Sequence, residues 1–147
     1  MVDGPLDAQG LPVAQGLPGV LGVGTDLVDV DRVRTALDRQ AGLRDRLFTP
    51  AEWEYAARHR DPLPHLAARF AAKEAVMKAL GHGMEHMSFH EIEVVRDDDT
   101  GAPAVQLHGR AAEVAERSGV VGWRLSLTHT SSLAHAVAIA LAGAGSR

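Results

Sequence analysis

The chain contains no cysteine among its 147 residues. That excludes disulfides, thiolate nucleophiles and zinc held by thiolates, and it fits a reducing, cytoplasmic compartment. Nor does it contain an apolar run long enough to cross a bilayer, and its first residues lack the basic start and unbroken apolar stretch of a secretion signal. A soluble chain without membrane contact is expected. Positive charge is also short: 15 Lys and Arg stand against 19 Asp and Glu, a net charge of −4. Nucleic-acid backbones demand a basic surface, so a general nucleic-acid binder is not expected. No phosphate-binding P-loop occurs, the GVGTD stretch lacks the third glycine of a dinucleotide fingerprint, and Ser126 and His129 have no G-x-S-x-G to present a serine nucleophile. What is present is a 46% hydrophobic content, enough for one domain with a genuine core.

The stretch Ala67 to Gly81, AARFAAKEAVMKALG, organises the rest. Its Ala, Leu and Met content predicts a helix, with Gly81 placed to end it. At about 100° per residue, Leu66, Phe70, Met77 and Leu80 form one buried stripe. Lys73 falls inside that stripe, while Glu74 and Lys78 share the flank beside Ala67 and Ala71. An acid and a base surrounded by methyl groups predict the wall of a polar cleft.

Residues 1–18 mix Pro, Gly, Ala and Gln without a period and predict a loose tail; residues 19–142 form the domain. Gly19 to Val28 reads as a buried strand ending near Thr25 and Asp26. A helix follows from about Asp29 to Gly42, so Asp26 stands near a strand-to-helix junction, where it either enters a site or, like Asp29, caps the helix. Thr49-Pro50-Ala51-Glu52 is a helix start with a capping box, and Asp61 to Pro64 separates that helix from the central one. Beyond the loop His82 to Met87, strands are expected over Phe89 to Val95, Ala104 to Leu107, Trp123 to Thr128 and Leu133 to Leu141, with a helix over Arg110 to Arg117. Ser131 and Ser132 turn the last two strands into a hairpin. Strands and helices without a regular βαβ repeat give an α+β class with a mainly antiparallel sheet packed against the long helix.

Asp26 and Glu74, from separate elements, make a two-oxygen set of the kind magnesium takes when water and phosphate oxygens complete its shell. Lys73 and Lys78 would add positive charge for that phosphate. The competing reading is a salt-bridge network of Lys73, Glu74 and Lys78 along the helix. His82, His86 and His90 recur every four residues, but Gly81, Gly83 and Ser88 break the helix that would make that spacing a zinc site.

Three segments, GVGTDLVDVDR (22–32), ARFAAKEAVMKALG (68–81) and LSLTHT (125–130), in this order and spacing resemble the 4′-phosphopantetheinyl transferases of the holo-acyl-carrier-protein synthase type. The resemblance spans about Gly19 to Leu141. It implies transfer of the phosphopantetheine arm of coenzyme A to a serine of an apo acyl carrier protein, or of a carrier domain, with release of adenosine 3′,5′-bisphosphate. It further implies a small α+β fold and a homotrimer with active sites between subunits. Carried over by position, Asp26 and Glu74 are the magnesium ligands and Lys78 stabilises or protonates the leaving phosphate. Glu74, directly or through a metal-held water, accepts the serine proton. Lys73 assists with the phosphates, and Arg69, His129 and Thr130 hold the 3′-phosphate and adenosine end. Gly81 and Gly83 admit the nucleotide to the backbone, and Arg32 meets the carrier protein. Two other functions use the same residues: a metal-dependent phosphoesterase acting on coenzyme A, and a non-catalytic carrier-binding module.

Overall fold

In the computed structural model residues 19–143 are described; the tail expected over residues 1–18 lies outside them. They run β1 (Val20–Asp29), α1 (Val30–Arg39), α2 (Leu43–Leu47), α3 (Pro50–Ala57), α4 (Leu63–Leu80), a single 3₁₀ turn (Phe89–Glu91), β2 (Ile92–Arg96), β3 (Pro103–Leu107), α5 (Gly109–Arg117), β4 (Val120–His129) and β5 (Leu133–Ala142). A three-stranded antiparallel sheet has the order β1-β5-β4, and β2 pairs with β3 in a second, two-stranded sheet. The α+β class with antiparallel sheets around one long helix is as expected.

Three of these helices have clear local causes. Asp29 caps α1, its Oδ1 accepting from the backbone N–H groups of Asp31 and Arg32 at 3.0 and 3.3 Å, which leaves Asp26 free of capping. Thr49 and Glu52 close the capping box of α3. Pro64 sits in the first turn of α4, where its missing N–H has no helical partner to lose. Gly81, at φ 72°, takes the left-handed conformation that stops that helix.

The core is built where α4 crosses the three-stranded sheet. Ala134, Ala136, Ala138 and Ala140 of β5 are each at most 1% exposed and let the helix approach closely. On β1 the approach is closer still. A Cβ on Gly22 would stand 2.0 Å from the Ala79 carbonyl oxygen, and one on Gly24 would stand 1.8 Å from that of Ala75. No side chain fits between two backbones at that spacing. The small residues of α4 therefore form a packing seam: Ala67, Ala71 and Ala75 are fully buried, while Glu74 and Lys78 beside them line a cleft, as that flank predicted. Leu66 and Val76 are also fully buried, each contributing about 1.5–3 kcal/mol.

The large side chains of the sheet point the other way. Val23, Leu27 and Leu133 are 59%, 64% and 43% exposed, and the Thr25 hydroxyl meets His135 Nε2 across β1 and β5 at 2.7 Å. The outer face of the sheet is thus apolar on β1 and at the start of β5, with Arg124, Ser126 and Thr128 exposed on β4.

Three boundaries differ from expectation. Phe89–Glu91 is a 3₁₀ turn because Ser88 and Glu91 form a capping box there. The short helix α2 falls where the sequence shows no period. β4 begins at Val120, directly after Gly119 at φ 81°, and a register shift at Val120/Gly122 hides its alternation.

Candidate active site

Asp26 lies within β1, on the face turned to α4 with Gly22, Gly24 and Val28. Glu74 and Lys78 stand one turn apart on that helix. The Lys78 Nζ donates to Asp26 Oδ1 at 3.0 Å and to the Thr25 carbonyl at 2.9 Å, which ties the helix to the strand. Burial, and then the charge of Asp26, holds the Glu74 carboxyl above the usual carboxylate range, with Lys78 opposing. Asp26, Glu74 and Lys78 line one cleft of about 910 Å³, whose α1 wall carries Arg32. The two carboxylates expected to act together are therefore together.

Among the described residues no group of three or more His, Asp or Glu side chains is gathered for a metal ion. A cation between Asp26 and Glu74 would have two protein carboxylates and would take its other ligands from water or phosphate. That donor set suits magnesium rather than zinc, and Glu74, half-buried beside a second carboxylate, is a group whose charged form a cation would stabilise.

Lys73 is not at this cleft, a correction to its expected phosphate role. It is fully buried, and its Nζ donates to Glu52 Oε1 at 2.8 Å, to the Phe89 carbonyl at 3.0 Å and to the Ile92 carbonyl. An ammonium has three N–H groups, so none remains for a phosphate. Glu52 is equally occupied: its Oε1 also accepts from Thr49 N–H and its Oε2 from Val94 N–H, both at 2.9 Å. The helical network of Lys73, Glu74 and Lys78 is not formed either, because each lysine pairs with another element.

Arg69, His129 and Thr130 form a second group elsewhere. Arg69 is 5% exposed. Its guanidinium lies 4.0 Å from the Tyr55 ring centroid, one N–H reaches the His65 carbonyl at 3.5 Å, and its Nε is buried without a hydrogen-bond partner. His129 ends β4, exposed, with its ring centroid 4.8 Å from that of His65. Thr130 opens the hairpin turn, its Oγ1 accepting from the N–H groups of Ser132 and Leu133. His59 and His65, which sequence reasoning did not single out, complete the group by stacking at 3.6 Å. They meet only because the chain turns between α3 and α4, and no spacing announces that.

The two groups do not share one cleft. Arg69 and Lys78 are nine positions apart, about two and a half helical turns, so they leave α4 on opposite sides. Asp26 pairs with Ala136 and His129 with Ala134, at nearly the same level of β5 but across it. The acid pair belongs to the β1 edge of the sheet and the histidines to the β4 edge. Gly81 and Gly83 follow α4. A side chain at Gly81 would meet open space, so its positive φ alone selects glycine; one at Gly83 would meet only the flexible Glu85 carboxylate at 3.0 Å.

The fold places an acid pair and a lysine at one sheet edge and an arginine-histidine group at the other. The family model described as the 4′-phosphopantetheinyl transferase superfamily matches residues 22–140, and the chain belongs to that superfamily. Within it, the chain is 48% identical over 123 residues to the holo-[acyl-carrier-protein] synthase of Desulforudis audaxviator, covering 83% of this chain and 93% of the relative. It is 48% identical over 121 residues to that of Beutenbergia cavernae, covering 82% and 97%. Among solved structures, the acyl carrier protein synthase of Mycobacterium tuberculosis is 40% identical with a TM-score of 0.66, over 85% of this chain and 100% of that one. The ACPS–CoA complex from Chronobacterium ammoniagenes is 32% identical with a TM-score of 0.74, over 84% and 98%. No helix among the described residues is long and apolar enough to cross a membrane.

Proposed function

We propose that this chain is a holo-[acyl-carrier-protein] synthase, which transfers the 4′-phosphopantetheine group of coenzyme A to a serine of an apo acyl carrier protein and releases adenosine 3′,5′-bisphosphate. The observation that carries the reading is the convergence of Asp26, Glu74 and Lys78 on one cleft. In the reaction the serine oxygen bonds to the phosphorus of the pantetheine phosphate, and the phosphoanhydride bond to the bisphosphate breaks. Glu74, whose carboxyl binds a proton more readily than an ordinary one, takes the serine proton. Lys78 is held by Asp26 and the Thr25 carbonyl and keeps one N–H for the leaving phosphate, which it stabilises or protonates. Magnesium, when bound by Asp26 and Glu74, would neutralise charge on the diphosphate. Arg32, on the α1 wall of the cleft, would meet an acidic carrier helix.

The nucleotide end of coenzyme A falls to Arg69, His129 and Thr130, with Gly81 and Gly83 admitting its backbone-side contacts. Because these residues lie at the opposite sheet edge from the acid pair, a complete site needs the β1 edge of one copy against the β4 edge of the next. Such a head-to-tail contact closes into a ring, and a homotrimer is the assembly we propose. Val23, Leu27 and Leu133 on the outer sheet face supply apolar surface for it. The protein would act in the cytoplasm.

Incubation with coenzyme A and magnesium, with and without apo carrier protein, tests the function. A mass gain on the carrier serine, with bisphosphate formed only when carrier is present, is expected. Bisphosphate released equally without carrier would identify a phosphoesterase instead, and binding of carrier without any product would identify a non-catalytic module.

A further inference from the structure

The group around Arg69 holds more base than its expected members require. His59 and His65 stack with ring centroids 3.6 Å apart and planes at 23°, and His129 meets His65 edge-on at 4.8 Å. The groups that face this stack come from every neighbouring element. They are Tyr55 on α3, Arg69 on α4, Asp61 between those helices, Arg34 on α1 through Asp61, and Arg96 on β2, whose guanidinium lies 5.4 Å from the Tyr55 ring centroid. The carboxylates near them are Asp61, already engaged by Arg34 at 3.2 Å and by the Leu63 N–H at 3.1 Å, and Glu52 on α3, whose charge reaches Arg69 but whose oxygens are held by Lys73 and the Val94 N–H. Three imidazoles and the Arg69 guanidinium thus stand together, and the carboxylates near them are already engaged. The buried, unpartnered Arg69 Nε is a second mark of a missing acceptor.

The tautomers matter here. His59 Nδ1 lies 3.1 Å from the Tyr55 carbonyl oxygen, an acceptor, so Nδ1 carries the hydrogen and neutral His59 presents a bare Nε2. A bare nitrogen cannot donate to a phosphate. It must first gain a proton. In the free protein burial first, and then His59, His129 and Arg69, push His65 down to about 4.

We infer that His59 and His65 join Arg69 and His129 in an anion pocket that takes up a proton as it binds a phosphate monoester, so that affinity for that phosphate rises as pH falls. This rests on the reading of Arg69 and His129 as holders of the 3′-phosphate. A dianion among these rings makes the imidazolium form favourable, and by linkage the same proton strengthens binding of the dianion. His59 and His65 are positioning residues that set how strongly the pocket holds the phosphate at a given pH.

Calorimetry of adenosine 3′,5′-bisphosphate binding, in buffers of different ionisation heat at pH 6.5, measures the proton count. Wild-type protein is expected to take up about half a proton or more per nucleotide. Its affinity should tighten by up to about tenfold per pH unit between pH 7.5 and 6. His65→Phe and His59→Phe keep a stacked ring but cannot titrate. The ligand's own ionisation cancels when they are compared with wild type, and each is expected to lower the uptake. Nuclear magnetic resonance of the wild-type imidazoles reads the same event without a variant: the His65 ring should shift to its charged form when nucleotide is added. Equal uptake in wild type and both variants, or a His65 ring that stays neutral in the complex, overturns the inference alone. Adenosine 5′-monophosphate binding as tightly as the bisphosphate, with equal proton uptake, overturns the 3′-phosphate reading and this inference with it.

Discussion

Lys73 and Lys78 stand five residues apart on α4, and the fold treats them oppositely. Lys73 is wholly enclosed, with every N–H committed to Glu52 and to two carbonyls. The Lys78 side chain is 53% exposed, bonds Asp26 and the Thr25 carbonyl, and lines the cleft. The first fastens α3 and the start of β2 to the central helix; the second faces solvent with donor capacity to spare. A charged residue in a helix marks chemistry only when its partners leave something unsatisfied.

Removing one member of the enclosed pair should show the larger stability effect. Lys73→Ala leaves Glu52 buried without its cation and is expected to cost about 3–5 kcal/mol, read by denaturant unfolding. A loss near zero would mean that the pair is not structural. Glu74→Gln should do the reverse. Transfer is expected to fall about a thousandfold, near 4 kcal/mol of barrier, while thermal stability stays level or rises, because a carboxyl that resists ionisation has become neutral. Parallel loss of stability and rate would erase the distinction between the two regions.

The histidine group gives a smaller, pH-dependent contrast. His65 has its ordinary value of 6.5 when unfolded and about 4 when folded, so the unfolded chain binds the proton first as pH falls. Its contribution to stability is complete above about 6.5 and is lost as pH drops toward about 4. In the free protein the midpoint of thermal unfolding should decline across that window, and His65→Phe should flatten the decline. An identical decline in the variant would assign it to other groups.

Much of this was legible in the sequence, and the failures share a cause. Thr49 and Glu52 announced the start of α3, but a capping box accounts for Glu52 completely, so nothing signalled its second bond to Lys73, 21 residues away. Lys73 stood out as a lysine within an apolar stripe; its partner and its burial depend on the meeting of α3, α4 and β2, which no local period encodes. Asp26 and Glu74 were paired as carboxylates at a strand end and on the flank of the long helix, and the resemblance then joined those distant segments. The glycines of β1 were visible, yet only the distances to the Ala75 and Ala79 carbonyls explain them. Single-chain spacing also could not reveal that the Arg69–His129 group and the acid pair occupy opposite sheet edges, because strand order decides that.

That separation is the centre of the account, and mixed oligomers test it most directly. Glu74→Ala and His129→Ala proteins, each inactive alone, should regain transfer activity after being unfolded and refolded together, since about a quarter of the interfaces in randomly mixed rings then pair an intact acid edge with an intact histidine edge. A mixture that forms oligomers yet stays as inactive as its two components would show that each chain builds its whole site alone.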